Sequence, residues 1–188
     1  ELTLFGETFK LQGTDPEIGV LYVFAIASIG VYGIMLGGWA SNNKFALLGS
    51  VRAASQMVSY ELGLGLSIVA LVMLTGTLSL GGIVDYQIEH GWNVIQQPLG
   101  FIIFLVCAFA ETNRAPFDMP ECETELVGGY HTEFSSMKLG FFLFAEYTNM
   151  FISSAVISTL YFGGYHVPGL DKLGLDPNVA TLIGTAAM

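Results

Sequence analysis

Six carboxylate side chains lie close together between residues 109 and 134. They are Glu111, Asp118, Glu121, Glu123, Glu125 and Glu133. Because only 12% of the chain is charged, this density of acids is unusual. Neighbouring carboxylates repel one another and titrate as a coupled group, so such a cluster can bind and release protons near neutral pH. The stretch is therefore a candidate for proton handling, and the alternative is a solvated acidic loop joining two membrane helices.

Three carboxylates lie on or within apolar segments. Glu61 stands where a helix becomes wholly apolar, Glu111 ends an apolar run, and Glu146 lies inside another. An ionised carboxylate is costly in a low dielectric, so acids within a membrane are functional candidates by default. We interpret these three as the spanning members of a proton path. The loop members are Glu121, Glu123 and Glu125, whose alternate spacing suits one side of an extended segment or a helical turn.

Two arginines, Arg52 and Arg114, are candidate counter-charges for these acids, since arginine stays protonated even when partly buried. Anchoring at the membrane interface explains both positions equally well. The sequence shows no nucleophile–base pair, phosphate-binding loop or metal motif. Its two cysteines do not form a CxxC pair, and its three histidines lie on different segments. We expect neither a catalytic residue nor a metal site in this chain.

The elements that must position these residues are membrane helices. The 188 residues are 53% hydrophobic, with a mean hydropathy of +0.61. Long uncharged runs cover residues 18–43, 62–87 and 91–110, and a fourth, at 139–165, is interrupted only by Glu146. About 20 apolar residues cross a ~30 Å hydrocarbon core as a helix. The sequence predicts an all-α, polytopic transmembrane bundle of about four complete spans, with the start of a fifth at 179–188.

The basic residues orient the predicted bundle. Lys44, Arg52, Arg114 and Lys138 flank two connections on one side, and Lys10 and Lys172 lie opposite. By the positive-inside rule, the acidic loop 111–137 faces the cytoplasm. We predict one transmembrane domain over 1–188, and we expect a fragment of a longer chain because it begins with Glu1 rather than Met. A net charge of −10 argues against nucleic acid as a partner.

Three segments resemble a known family. They are RAASQMVSYELGLGLSI at 52–68, AETNRAPFDMPECETELVGGYHTEF at 110–134 and FFLFAEYTNMF at 141–151. They look like the quinone-site membrane subunit of respiratory complex I, the family that comprises the H subunit of NADH-quinone oxidoreductase and its mitochondrial counterpart, subunit 1. The match covers most of the chain in order, and the second segment is highly specific to the family. Family segments that precede residue 18 or follow the fourth span are missing here.

The resemblance implies an all-helical subunit of a proton-pumping NADH:quinone oxidoreductase. It would enclose part of a quinone chamber and the acidic path leading from it. The chain would bind no redox cofactor, with quinone as substrate and NADH, FMN and iron–sulfur clusters in partner subunits. The implied partners are the peripheral-arm quinone-site and terminal iron–sulfur subunits, the small and antiporter-like membrane subunits, and the lipid bilayer.

The resemblance also assigns residues. The implied proton path comprises Glu61, Glu111, Asp118, Glu121, Glu123, Glu125 and Glu146. The implied quinone-chamber residues are Arg52, Arg114 and Phe117. A bacterial plasma membrane is favoured over the mitochondrial inner membrane as the location.

Two other functions compete with this interpretation. The first is a homologous ion-translocating component of a membrane-bound hydrogenase, which neighbouring genes would distinguish. The second is a stand-alone secondary transporter, for which inverted repeats and helices broken at the midplane are expected. Neither feature is found in the sequence, so the transporter ranks last.

Overall fold

The computed structural model describes residues 2–4, 7–9, 14–112, 117, 129–131 and 133–165. The first two ranges form β1 (Leu2–Leu4) and β2 (Glu7–Phe9). The helices are α1 (Gly19–Ala40), α2 (Lys44–Thr75), α3 (Leu80–His90), α4 (Asn93–Gln96), α5 (Pro98–Glu111) and α6 (Met137–Tyr161), with a 3-10 turn at Gly129–His131. The predicted helical architecture is therefore observed, apart from one short hairpin.

The hairpin pairs β1 with β2 in antiparallel register, with Leu2 opposite Phe9 and Leu4 opposite Glu7. From the sequence, this region was expected to be only a polar segment outside the membrane. Leu2, Thr3 and Leu4 alternate apolar and polar side chains, which is the period-2 pattern of a strand. A three-residue pattern is too short to identify a strand by itself, which is why the sequence predicts an all-α chain.

Within the described ranges, α1, α2 and α6 are long and apolar enough to cross a membrane. They contain 22, 32 and 25 residues, respectively. At a rise of 1.5 Å per residue, each exceeds the ~30 Å of a hydrocarbon core. This supports a multi-span helical membrane protein.

The predicted span at 91–110 is divided in the structure. It forms the short α4 and then α5, a shorter apolar helix of 14 residues that is about 21 Å long. Pro98 begins α5, a position where the absent N–H costs little. The described residues thus provide three full-length helices and one shorter helix, whereas the sequence predicts four complete spans. The predicted fifth span, 179–188, lies outside the described residues.

The boundaries of the second span also differ from the prediction of 62–87. Helix α2 begins at Lys44 and includes the polar stretch that precedes Glu61. It ends at Thr75, where Gly76 adopts a left-handed φ of +70°. Ser79 then caps α3, since its hydroxyl accepts a 3.2 Å hydrogen bond from the Gly82 N–H. The continuous apolar sequence concealed this break, because hydropathy does not report capping geometry.

The chain forms two compact units. The first comprises Glu1–Leu21, Leu71–Pro98 and Ser154–Met188. Buried amides hold its described part together: Gln87 donates to the Thr159 carbonyl at 2.9 Å and accepts from the Gly163 N–H at 3.0 Å. Asn93, which is fully buried, donates to the Leu160 carbonyl at 2.8 Å. These bonds satisfy backbone groups at the end of α6 that the helix itself cannot pair.

Charged groups of the first unit lie outside the long helices. The Asp15 carboxylate accepts a hydrogen bond of 2.9 Å from the Ser79 hydroxyl. Burial, together with the nearby carboxylates of Asp85 and Asp15, raises the pKa of the Tyr165 phenol above its ordinary value. The neutral phenol is therefore the favoured form at neutral pH.

The second unit comprises Tyr22–Ala70 and Leu99–Ser153. Here α1 and α2 approach closely, because a Cβ on Gly38 would collide with the Ser50 side chain and lie 2.9 Å from the Ala46 carbonyl. Likewise, a Cβ on Gly49 would lie 2.8 Å from the Tyr130 nitrogen. Small residues at such contacts are typical of helices packed within membranes. This unit contains the spanning acids that the sequence singled out.

Candidate functional site

Three helices of the second unit supply the spanning acids. Glu61 lies about 25 Å along α2, Glu111 is the last residue of α5, and Glu146 lies about 13 Å into α6. All three side chains are half-buried. The sequence predicts these carboxylates on or inside apolar segments, and the helices in the structure place them there.

The Glu111 carboxylate is held by side chains of α6. It accepts hydrogen bonds from the side chains of Asn149 and Ser153. These two residues are four positions apart, so they occupy one face of the helix, one turn from each other. Both donors are neutral, and hydrogen bonds donated to a carboxylate favour its ionised form. The contact therefore links the end of α5 to α6 through a titratable group.

Helix α2 brings two more titratable groups to the same point. Tyr60 interacts electrostatically with both Glu111 and Glu61, and Glu61 interacts with Glu111. Two carboxylates within interaction range do not ionise independently, because charging one disfavours charging the other. We call these five residues, Tyr60, Glu61, Glu111, Asn149 and Ser153, the Glu111 cluster. Its chemistry is coupled proton binding between two acids.

Glu146 lies on the same face of α6 as the two donors. It precedes Asn149 by three residues and Ser153 by seven, which are spacings that align side chains along a helix. The opposite face carries large aromatic side chains that are exposed within this chain. They are Phe141, Phe144, Tyr147 and Phe151. The polar stripe of α6 thus extends one turn beyond the cluster to a third acid.

A side-chain amide on α2 contacts the region that follows α5. The Gln56 amide donates to the Phe117 carbonyl at 2.8 Å and reaches the Ala110 carbonyl at 3.5 Å. Phe117 is a predicted quinone-chamber residue, and its side chain is half-buried. Arg52, another predicted chamber residue, is exposed and lies one helical turn before Gln56. The structure therefore brings two of the three predicted chamber residues to one region of α2.

The remaining predicted site residues lie outside the described residues. They are Arg114, Asp118, Glu121, Glu123 and Glu125. Glu133, the last acid of the loop, is exposed and accepts a hydrogen bond of 2.8 Å from the Asn43 amide. Among the described residues, no three histidine, cysteine, aspartate or glutamate side chains are grouped so as to hold a metal ion.

Four residues of the site were not identified from the sequence: Gln56, Tyr60, Asn149 and Ser153. For two of them a signal was present. Asn149 and Ser153 follow Glu146 at the +3 and +7 positions, which places them on the acid's own helical face. Gln56 and Tyr60 gave no comparable signal, because their roles depend on contacts with α5 and with the segment after it.

The fold and the site define a multi-span helical membrane protein with carboxylates held among its helices. The chain belongs to the NADH dehydrogenase family, whose model matches residues 3–188. This confirms the resemblance noted in the sequence.

Several curated relatives are similar to the chain over most of its length, and each is named as an H subunit of NADH-quinone oxidoreductase. The first of two such subunits in Cytophaga hutchinsonii is 66% identical over 184 residues, which cover 98% of this chain and 54% of that protein. The relative from Flavobacterium johnsoniae is 61% identical over 191 residues, covering 100% and 54%. The relative from Salinibacter ruber is 55% identical over 172 residues, covering 89% and 48%. The chain spans about half the length of the curated relatives it matches.

Proposed function

We propose that the chain is part of the membrane subunit of a proton-pumping NADH:quinone oxidoreductase. In this role it forms one wall of a quinone chamber and carries an acidic path that couples quinone reduction to proton translocation. The observation that carries the proposal is the Glu111 cluster, in which a carboxylate at the end of α5 is held by α6 and interacts with Glu61 of α2. The names of the relatives support the quinone enzyme over a component of a hydrogenase.

The proposed path has an intramembrane part and a loop part. Glu61, Glu111 and Glu146 relay protons among the helices, because their coupled ionisation lets a proton entering at one site change the charge of the next. The loop acids Asp118, Glu121, Glu123 and Glu125 exchange protons with the cytoplasm. Residues 1–188 form a single transmembrane domain, and loop 111–137 lies on the cytoplasmic side of a bacterial plasma membrane.

The proposed chamber is lined by Arg52, Arg114 and Phe117. Arg52 supplies a permanent positive charge beside the headgroup, and Phe117 supplies an apolar ring. The hydrogen bond from Gln56 to the Phe117 carbonyl supports this placement, since it fixes that backbone one turn from Arg52. The chain acts without its own cofactor, and NADH, FMN and iron–sulfur clusters belong to partner subunits, with the small and antiporter-like subunits as membrane neighbours.

The proposal is tested with Glu111→Gln in the full-length chain, assembled in its complex in native membranes. Glutamine keeps the size and hydrogen-bonding capacity of the side chain but cannot bind or release a proton. We expect quinone reductase turnover and proton pumping to fall at least about tenfold, a typical cost of removing a proton-transfer group. The matched control is Glu89→Gln on α3, an exposed glutamate outside the cluster, which should leave both activities unchanged. Wild-type turnover and pumping in an assembled Glu111→Gln complex would refute the proton path.

A further inference from the structure

Helix α6 presents a polar face to Glu111 and an aromatic face away from it. Asn149 and Ser153 are half-buried on the polar face, whereas Phe144 and Phe151 on the opposite face are each more than 70% exposed within this chain. Asn149 and Ser153 bond outward to Glu111, whereas the neighbouring Thr148 hydroxyl only bonds back to the Phe144 carbonyl of its own helix. The two polar side chains on this face are thus committed to the acid.

We propose that Asn149 and Ser153 are positioning residues of the proton path, which hold the Glu111 carboxylate on α6 in its ionised form. This inference rests on the proposed function, since it assigns a role in the same relay. The groups facing the carboxylate are Tyr60 and Glu61 from α2 and these two donors from α6, with Glu146 one turn further along. Of these groups, the two on α6 are the neutral donors that stabilise negative charge at Glu111 without carrying a proton of their own in the transfer.

The two donors respond differently when Glu111 takes up a proton. A serine hydroxyl both donates and accepts, so Ser153 can turn to accept from the new carboxylic acid. The Asn149 amide nitrogen only donates, so its bond to a protonated oxygen is lost unless the amide rotates. Protonation therefore weakens the attachment of α5 to α6 at this point. Each proton that passes through Glu111 changes a contact between two helices.

The test uses two variants that remove one donor each, Asn149→Leu and Ser153→Ala, in the full-length complex in membranes. The readout is the pH dependence of quinone reductase turnover. The limb that belongs to Glu111 is first identified as the one abolished by Glu111→Gln. Because hydrogen bonds to a charged group differ from neutral ones by about tenfold in equilibrium, we expect the midpoint of this limb to move to higher pH by about one unit per donor removed.

Two controls distinguish positioning from general damage. Thr148→Ala and Ser154→Ala remove exposed hydroxyls beside the two donors and should leave the midpoint unchanged. Ser153→Thr retains the hydroxyl and should restore the wild-type midpoint. In a Glu111→Gln background, Asn149→Leu should cause no further loss of turnover, since its effect passes through the missing acid.

The outcomes separate this inference from the proposed function. If Glu111→Gln has wild-type activity, the proton path itself is refuted. If Glu111→Gln is impaired but both donor variants keep the wild-type midpoint, the path stands and the positioning role is refuted. An additive loss in the double variant Glu111→Gln with Asn149→Leu would also overturn the role. Should Asn149→Leu fail to assemble, Ser153→Ala and Ser153→Thr decide alone.

Discussion

Replacing Gln56 by leucine should separate a contact of the site from the stability of the fold. Gln56 donates a hydrogen bond of 2.8 Å to the Phe117 carbonyl, which attaches the residue after α5 to α2. Its other amide atom, Oε1, is buried and has no hydrogen-bond partner in the described part of the chain. Leucine has a similar length and removes both the bond and the unpaired acceptor.

The two effects have opposite signs. The lost hydrogen bond is worth a net ~1 kcal/mol, whereas a buried acceptor without a partner costs about 1–3 kcal/mol. The free energy of unfolding should therefore change by less than about 1.5 kcal/mol in either direction. The local attachment of Phe117 to α2 is lost regardless, and ~1 kcal/mol corresponds to roughly a five-fold change in an equilibrium constant. Because the proposed quinone chamber includes Phe117, we expect KM for a short-chain quinone to rise about five-fold with little change in kcat.

The assay is steady-state quinone reduction by membranes that contain the full-length variant, combined with the rate of heat inactivation of the same complex. Ser55→Ala changes the neighbouring, exposed side chain and should leave KM and the inactivation rate at their wild-type values. An unchanged KM together with much faster inactivation of Gln56→Leu would refute this reasoning, since it would show that the amide serves the fold and not the chamber.

Two further predictions concern the ends of α6. Glu146→Gln should lower turnover and proton pumping while the complex still assembles, because the third acid of the polar stripe can no longer exchange a proton; unchanged pumping would return Glu146 to a structural role. Gln87→Leu should destabilise the protein by about 2–4 kcal/mol, because the buried Thr159 carbonyl and Gly163 N–H lose their amide partner. Gln96→Leu, the same change at an exposed amide, should cost under ~1 kcal/mol, and equal rates of heat inactivation for these two variants would contradict the assignment.

Much of the fold follows from hydropathy, because a long apolar run has few alternatives to a helix in a membrane. The run at 18–43 became α1, and the run at 139–165 became α6 with Glu146 inside it. Breaks between helices were less predictable. Gly76 and Ser79 end one helix and begin the next within a stretch that hydropathy reads as continuous. Backbone conformation and caps make that difference, and neither alters the apolar content of the sequence.

The site was predictable in its acids but not in their partners. Glu61, Glu111 and Glu146 were conspicuous because a carboxylate in an apolar run has a large desolvation cost. Tyr60 and Gln56 carry no such cost in a sequence, since neutral polar side chains are common on membrane helices. Their importance depends on what lies across from them, which is a property of packing. Asn149 and Ser153 lie between these cases, because helical spacing alone places them beside Glu146.

The two compact units satisfy their buried polar groups in different ways, and the difference bears on function. In the first unit, Gln87 and Asn93 pair mainly with backbone groups, whose protonation never changes. Such bonds persist at any pH at which the protein is folded. In the second unit, Glu111 pairs with side chains of α6 and interacts with another acid, so every bond around it depends on where a proton resides. A protein that couples a chemical event to proton movement requires contacts of the second kind, held among helices whose ends are fixed by contacts of the first kind.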